Sequence, residues 1–158
     1  WRLMSKGVSH EKALKKADKI EKLERKKSIL AKSIKLIKKQ IPSEIYKKKI
    51  NIYSKNLNIW IVSGELVRDL YFIDFTEGGH DLVYSFIPSK EIWLDDDLSF
   101  RERRFVFLHE LHERYLMSKG ISYEKAHRSA SKTEYKARHN PIIITKLIKK
   151  ELRNNLSV

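Results

Sequence analysis

Cysteine is absent from this 158-residue chain. Disulfides, thiolate zinc sites and cysteine nucleophiles are therefore excluded, and a reducing, cytoplasmic setting is the default expectation. Any metal must be held by imidazole, carboxylate or water. Glycine and proline are scarce, at 5 and 3 residues. No Gly-rich phosphate loop and no GxSxG occurs, so nucleotide hydrolysis and serine-hydrolase chemistry find no support. No apolar run is long or clean enough to span a bilayer, and no membrane partner is expected. The sequence opens at Trp1 without an initiator Met or a signal-peptide pattern, which reads as a fragment or a processed product.

What is abundant is positive charge, and it is unevenly spread around a net of +14. Residues 1–50 hold 17 Lys/Arg against 5 acids, a net of +12. Residues 51–118 hold 7 against 12, a net of −5, and residues 119–158 hold 10 against 3, a net of +7. Basic arms thus flank an acidic middle. Such arms suit nucleic acid or an acidic protein partner; the plainer reading is a lysine-rich solvated helix surface. Tyr46, Tyr53 and Tyr135 are scattered rather than interleaved with the lysines, and no helix-turn-helix, zinc-finger or RNA-binding signature occurs. Nucleic-acid contact would then be nonspecific and salt-sensitive.

Residues 3–21 match residues 116–134 at a constant offset of 113, with 12 identities in 19 positions. Each copy reads as a helix end, a Gly stop (Gly7, Gly120), a Ser N-cap (Ser9, Ser122) and a new helix. Where the second copy has His127 the first has Leu14, so the first copy reads as a packing piece of a degenerate repeat, with the two copies placed symmetrically in the fold or in a dimer. From 9 to 40 a long amphipathic helix is expected, with Ile20, Leu23, Leu30, Ile34 and Ile37 as its stripe and Ile41-Pro42 as its stop. A short helix or turn follows at 43–50. Strands are expected at 57–63, 70–75, 82–87 and 91–94, with Glu77-Gly78-Gly79-His80 as a hairpin between the second and third. Helices are expected at 100–119, capped by Ser99, at 123–138, and at 142–154 after Asn140-Pro141. The order predicts an α+β fold: a long N-terminal helix, a small antiparallel sheet of three to four strands, and C-terminal helices. It divides into a basic helical extension (1–50) and an α+β domain (51–158).

The densest chemistry lies in FVFLHELHER, where His109, Glu110, His112 and Glu113 fall within five positions of an apolar helix. Residues three and four apart share a helix face, so His109, His112 and Glu113 are expected to project together. Such groups are costly in a core unless a metal or a hydrogen-bond network compensates them. Read as a metal site, His109-Glu110-Leu111-His112-Glu113 is an HExxE variant of HExxH. His109 and Glu113 would be ligands, Glu110 the general base, and His127 or Glu134 of the next helix the completing ligand. Zinc is the leading divalent ion, with manganese or iron favoured by the carboxylate.

A second metal reading joins Glu110 or Glu113 to Glu124-x-x-His127, the spacing of di-iron bundles, which the intervening strands oppose. The third reading needs no metal: His109, Glu113, His127 and Arg128 form a hydrogen-bonded network joining two helices. His80, after two glycines, is a candidate acid or substrate contact, or simply a turn residue. Asp95, Asp96 and Asp97 read as helix-dipole partners more readily than as a hard-cation site, and His10 and His139 as surface residues.

The segment EIWLDDDLSFRERRFVFLHELHERYL resembles the core of small zincin domains of the ImmA/IrrE kind, over roughly residues 91–134. The resemblance implies a metallopeptidase fold acting on a peptide or protein, with His109 as ligand, Glu110 as base and Glu134 as downstream acidic ligand. The departure is Glu113 where that family has a second histidine. Either the metal differs, or His112 substitutes through a helix distortion, or the site is inactive.

Overall fold

The computed structural model describes residues 41–50 and 57–156. The long helix expected at 9–40, and the comparison of Gly7 with Gly120, lie outside the described residues.

A single 3-10 turn at Ser43–Ile45 leads into β1 (Tyr46–Lys49) and, after residues 51–56, β2 (Asn58–Val62). Then come α1 (Gly64–Leu70), β3 (Gly78–His80), β4 (Glu91–Asp95), α2 (Phe100–Ser118), α3 (Tyr123–His139), a second 3-10 turn at Pro141–Ile143, and α4 (Ile144–Leu156). The α+β class is as the pattern predicts. The compact unit starts at Pro42 rather than at 51, because β1 pairs with β2 and so belongs to the sheet. None of the described helices is long and apolar enough to cross a membrane.

The sheet order is β1-β2-β4-β3. Its two outer pairs are antiparallel, but β2 and β4 run parallel, from Asn58 opposite Glu91 to Val62 opposite Asp95. The sheet is therefore mixed, not wholly antiparallel. Parallel neighbours need a long crossover, and residues 63–90 supply one that includes α1. Ser63 caps α1 by accepting from Leu66 N–H. Gly64 is required there: a Cβ would sit 2.0 Å from the Asp95 carboxylate.

The strands expected at 70–75 and 82–87 are turns instead. Their aromatic residues carry β-propensity, yet they are used for packing. Tyr71 stacks on Phe86 at 5.0 Å, and Tyr84 contacts Phe72, Phe75 and Phe86. The Gly-Gly-His run read as a hairpin tip is itself the strand β3, antiparallel to β4. Gly79 makes this feasible, because a Cβ there would lie 2.5 Å from the Tyr84 ring. The reversal into β3 is carried by Glu77, at φ 60°.

One face of the sheet meets α2. Leu57, Ile59, Ile92 and Leu94 pack with Phe105, Val106, Leu108 and Leu111 of α2, and Ile144, Ile148 and Leu152 of α4 close the same core. Ala126, Ala130 and Ala137 are fully buried on α3, so its backbone can approach α2 closely. The caps follow the sequence. Ser99 accepts from Glu102 N–H at the start of α2, and Gly120 at φ 82° ends it, with Ile121 N–H donating to Leu116 C=O. Ser122 precedes α3 as expected, but its side chain makes no capping bond to the backbone. Asn140-Pro141 opens the 3-10 turn, which delays α4 to Ile144.

Candidate metal centre

Helix α2 lies under β3, with α3 along one flank and α4 along the other. The helical period then decides where each side chain of the HELHE run goes. His109 and Glu113, one turn apart, face α3. Glu110 faces β3, where a Cβ added to Gly78 would lie 3.4 Å from Glu110 Cγ. His112 faces α4 and Ser129. It does not join His109 and Glu113, contrary to the shared-face expectation, because α4 supplies Glu151 Oε1 at 3.1 Å from His112 Nδ1. Its other nitrogen, Nε2, takes Ser129 Oγ at 3.0 Å. Ser129, His112 and Glu151 thus follow the order of a nucleophilic triad. However, Ser129 lies inside α3, where the backbone N–H groups are spent on helix bonds and cannot form an oxyanion hole.

Three donor atoms converge between α2 and α3. His127 Nδ1 is 2.7 Å from Glu113 Oε2, His109 Nε2 is 3.1 Å from His127 Nδ1, and His109 Nε2 is 3.5 Å from Glu113 Oε2. A tetrahedral ion with ligands about 2.0–2.1 Å away needs ligand atoms about 3.3 Å apart, a spacing these three edges bracket. A single ring nitrogen carries one proton at most. His127 Nδ1 therefore cannot donate to Glu113 and accept from His109 at once, whereas a cation at the centre satisfies all three lone pairs. His109, Glu113 and His127 can hold a metal ion; His80, Glu110 and Glu113 form an overlapping, fully buried group.

Glu134 has a different place from the ligand role expected of it. Its Oε2 lies 2.8 Å from His109 Nδ1, on the far side of the ring from the convergence point. A carboxylate there fixes the ring so that Nε2 is the free ligand atom. Arg138 holds the other oxygen, Nε donating to Oε1 at 2.8 Å, and also donates to Glu102 Oε2 at 2.5 Å. Arg128, named in the network reading, is exposed; Arg138 occupies that role.

His80 likewise supports the centre without reaching the cleft. It is fully buried behind Glu113. Leu82 N–H donates to its Nδ1 at 3.2 Å, which assigns the proton to Nε2, and Nε2 donates to Glu113 Oε1 at 3.2 Å. One oxygen of Glu113 is thereby occupied and Oε2 is left for an ion.

Sequence reading missed the pair one residue further on, Asp81 and Arg114, which is joined by two hydrogen bonds. The signal was adjacency alone: an acid after His80 and an arginine after Glu113.

The electrostatics reflect this crowding. Burial opposes charge on His109, yet bonds to Glu113 and Glu134 outweigh it and raise its pKa to about 10. Burial would also raise Glu113, but hydrogen bonds from His109, His80 and His127 hold it down near 2. Glu110 goes the other way. Burial pushes it up to about 8; His109 opposes this, and Glu113, Glu134 and Glu77 add to it. Glu134 is lowered because its bonds to His109 and Arg138 outweigh its burial.

A cleft of about 320 Å³ opens above the convergence point, with Glu110, His109, Glu113 and His127 at its base and Tyr84 and Tyr123 on its walls. Tyr123 stacks on His127 at 5.4 Å. Elsewhere, Asp95 and Asp97 are engaged by Arg68 at 2.6 and 3.4 Å, which accounts for that acidic run without a cation. His139 is on the exposed end of α3; His10 and Glu21, the first-copy counterparts of Tyr123 and Glu134, lie outside the described residues.

No family model matches this chain, and neither the curated proteins nor the solved structures yield a match.

Proposed function

We propose that the protein is a metal-dependent hydrolase of the zincin type, acting on amide bonds. The observation that supports this most is the triangle of His109 Nε2, His127 Nδ1 and Glu113 Oε2, whose edges of 3.5, 3.1 and 2.7 Å suit a tetrahedral ion beside an open cleft. Two imidazoles and one carboxylate favour zinc, with manganese or iron as alternatives. A divalent ion so held supplies Lewis acidity and an acidified water.

The chain's own residues do the rest. Glu110, beside His109 at the cleft base, takes the proton of the attacking water and returns it to the leaving amine. Glu134 keeps His109 oriented, and His80 keeps Glu113 presenting one oxygen. The resemblance to ImmA/IrrE-type zincins agrees with His109 and Glu110 in these roles. It differs in the third ligand, which we assign to His127 rather than Glu134. Glu110→Gln is expected to retain the metal and to lower cleavage of a fluorogenic peptide mixture by at least about 100-fold. Unchanged cleavage would remove Glu110 from the mechanism.

One observation favours a second reading, a basic binding module. Away from the centre, a groove of about 450 Å³ has Ile61, Leu94 and Phe107 on its floor and Lys48, Lys49, Arg103, Arg104 and Lys149 around it. In that reading a DNA fragment binds with an affinity that falls steeply with salt, and Glu110→Gln changes nothing.

A further inference from the structure

The cleft over the candidate metal centre is lined by carboxylates. Among the described residues no Lys or Arg lines the cleft, whose ionisable walls are Glu77, Glu110, Glu113, Glu134, two histidines and two tyrosines. Three of these acids are accounted for. Glu113 is a ligand, Glu110 handles the proton, and Glu134 is held between His109 and Arg138 at 2.8 Å each.

Glu77 is left over. It sits exposed on the rim, and among the described residues no cation pairs with it. Its backbone is fixed at φ 60°, with its C=O accepting from Asp95 N–H at 2.9 Å, so its position at the start of β3 is anchored to the sheet. Tyr84 and Tyr123, also on the cleft walls, offer aromatic faces that suit a long aliphatic stem or a cation.

We propose that the cleft takes substrates bearing a cationic side chain, lysine or arginine, beside the bond to be cleaved, with Glu77 as the residue that selects it. This rests on the metal-hydrolase reading and names the substrate class of that same site. An acidic side chain in the same position meets Glu77 as a like charge and is disfavoured. A neutral side chain of the same length gains the aromatic contact but no ion pair.

The test uses the full chain loaded with zinc and three probes that differ only in the side chain: the Nα-acetyl hydroxamates of lysine, norleucine and glutamate. Calorimetric titration is expected to rank them lysine, norleucine, glutamate, with about fivefold separating the first two, as a partly exposed ion pair provides. Glu77→Gln is expected to erase that separation while leaving norleucine hydroxamate and zinc uptake unchanged. Equal affinity of the loaded wild-type chain for the lysine and norleucine probes would overturn this inference alone. A chain that takes up no zinc would overturn the hydrolase reading together with it.

Discussion

Arg114 grips Asp81 through two parallel hydrogen bonds, Nε to Oδ1 at 2.7 Å and Nη2 to Oδ2 at 3.1 Å. Both side chains are about 6% exposed. The residues just before them, His80 at the end of β3 and Glu113 on α2, form the buried pair behind the candidate metal centre. The clamp therefore sets the register in which β3 lies over α2. Arg114 Nη1 extends it to Asn155 of α4, whose Nδ2 donates to Leu111 C=O.

Removing one partner of such a desolvated pair leaves the other charge uncompensated. Arg114→Ala is expected to lower stability by about 3–5 kcal/mol, read from urea denaturation. Arg114→Lys should recover only part of this, because an ammonium cannot make the two-pronged contact. A loss below about 1 kcal/mol for the alanine variant would show that the clamp does not set the register.

The glycine-dependent approaches give a second prediction. Gly79→Ala places a methyl group 2.5 Å from the Tyr84 ring, and Gly64→Ala places one 2.0 Å from an Asp95 carboxylate already held by Arg68. Each should cost about 1–3 kcal/mol of overpacking, seen as a lower melting temperature. Gly120→Ala meets no neighbour within 4 Å, so its cost comes from the positive φ of 82° alone and is expected at about 1 kcal/mol.

Glu134 and His112 separate the metal account from simple crowding of charges. Glu134→Gln should weaken zinc binding by about 10- to 100-fold, since it supports His109 from behind. His112→Ala should leave zinc binding unchanged while lowering stability by about 1–3 kcal/mol, because buried Glu151 keeps Asn154 but loses its imidazole partner. Competition with a chromophoric chelator measures the first, denaturation the second. Equal effects of the two variants on zinc would contradict the assigned geometry.

Stability should also fall in acid, and Glu151 supplies part of the reason. Burial would raise its pKa, but the nearby His112 ring and the Asn154 hydrogen bond outweigh this and lower it. A carboxylate lowered in the folded state stabilises the fold above its unfolded pKa of about 4.5 and loses that contribution as pH falls through the folded value. Wild-type stability is expected to decline below about pH 4.5, and Glu151→Gln to decline less steeply in that window. Parallel acid limbs for the two would remove Glu151 from the account.

The helices at 100–156 were legible because their signals are local. Ser99, Gly120 and Pro141 mark helix boundaries by their own chemistry, and the four-residue spacing put His109 and Glu113 on one face. The Glu134–Arg138 pair has the same spacing and could have been read the same way. What the sequence could not show depends on contacts distant along the chain. The side to which His112 turns is fixed by α4, 39 positions away at Glu151. The roles of His80 and Glu134 depend on which atom of a partner they reach. The aromatic run at 71–86 was misread because β-propensity and aromatic packing draw on the same residues. The parallel β2–β4 pairing follows from a crossover whose helix α1 spans only Gly64–Leu70.

The central claim is that His109, Glu113 and His127 bind one ion between them. Elemental analysis of the full chain, purified without a histidine tag and dialysed against zinc, tests it most directly. About one zinc per chain is expected, lost in Glu113→Ala and in the His109→Ala/His127→Ala double variant and retained in His112→Ala. A folded wild-type chain without zinc, or zinc retained when Glu113 is removed, would contradict it.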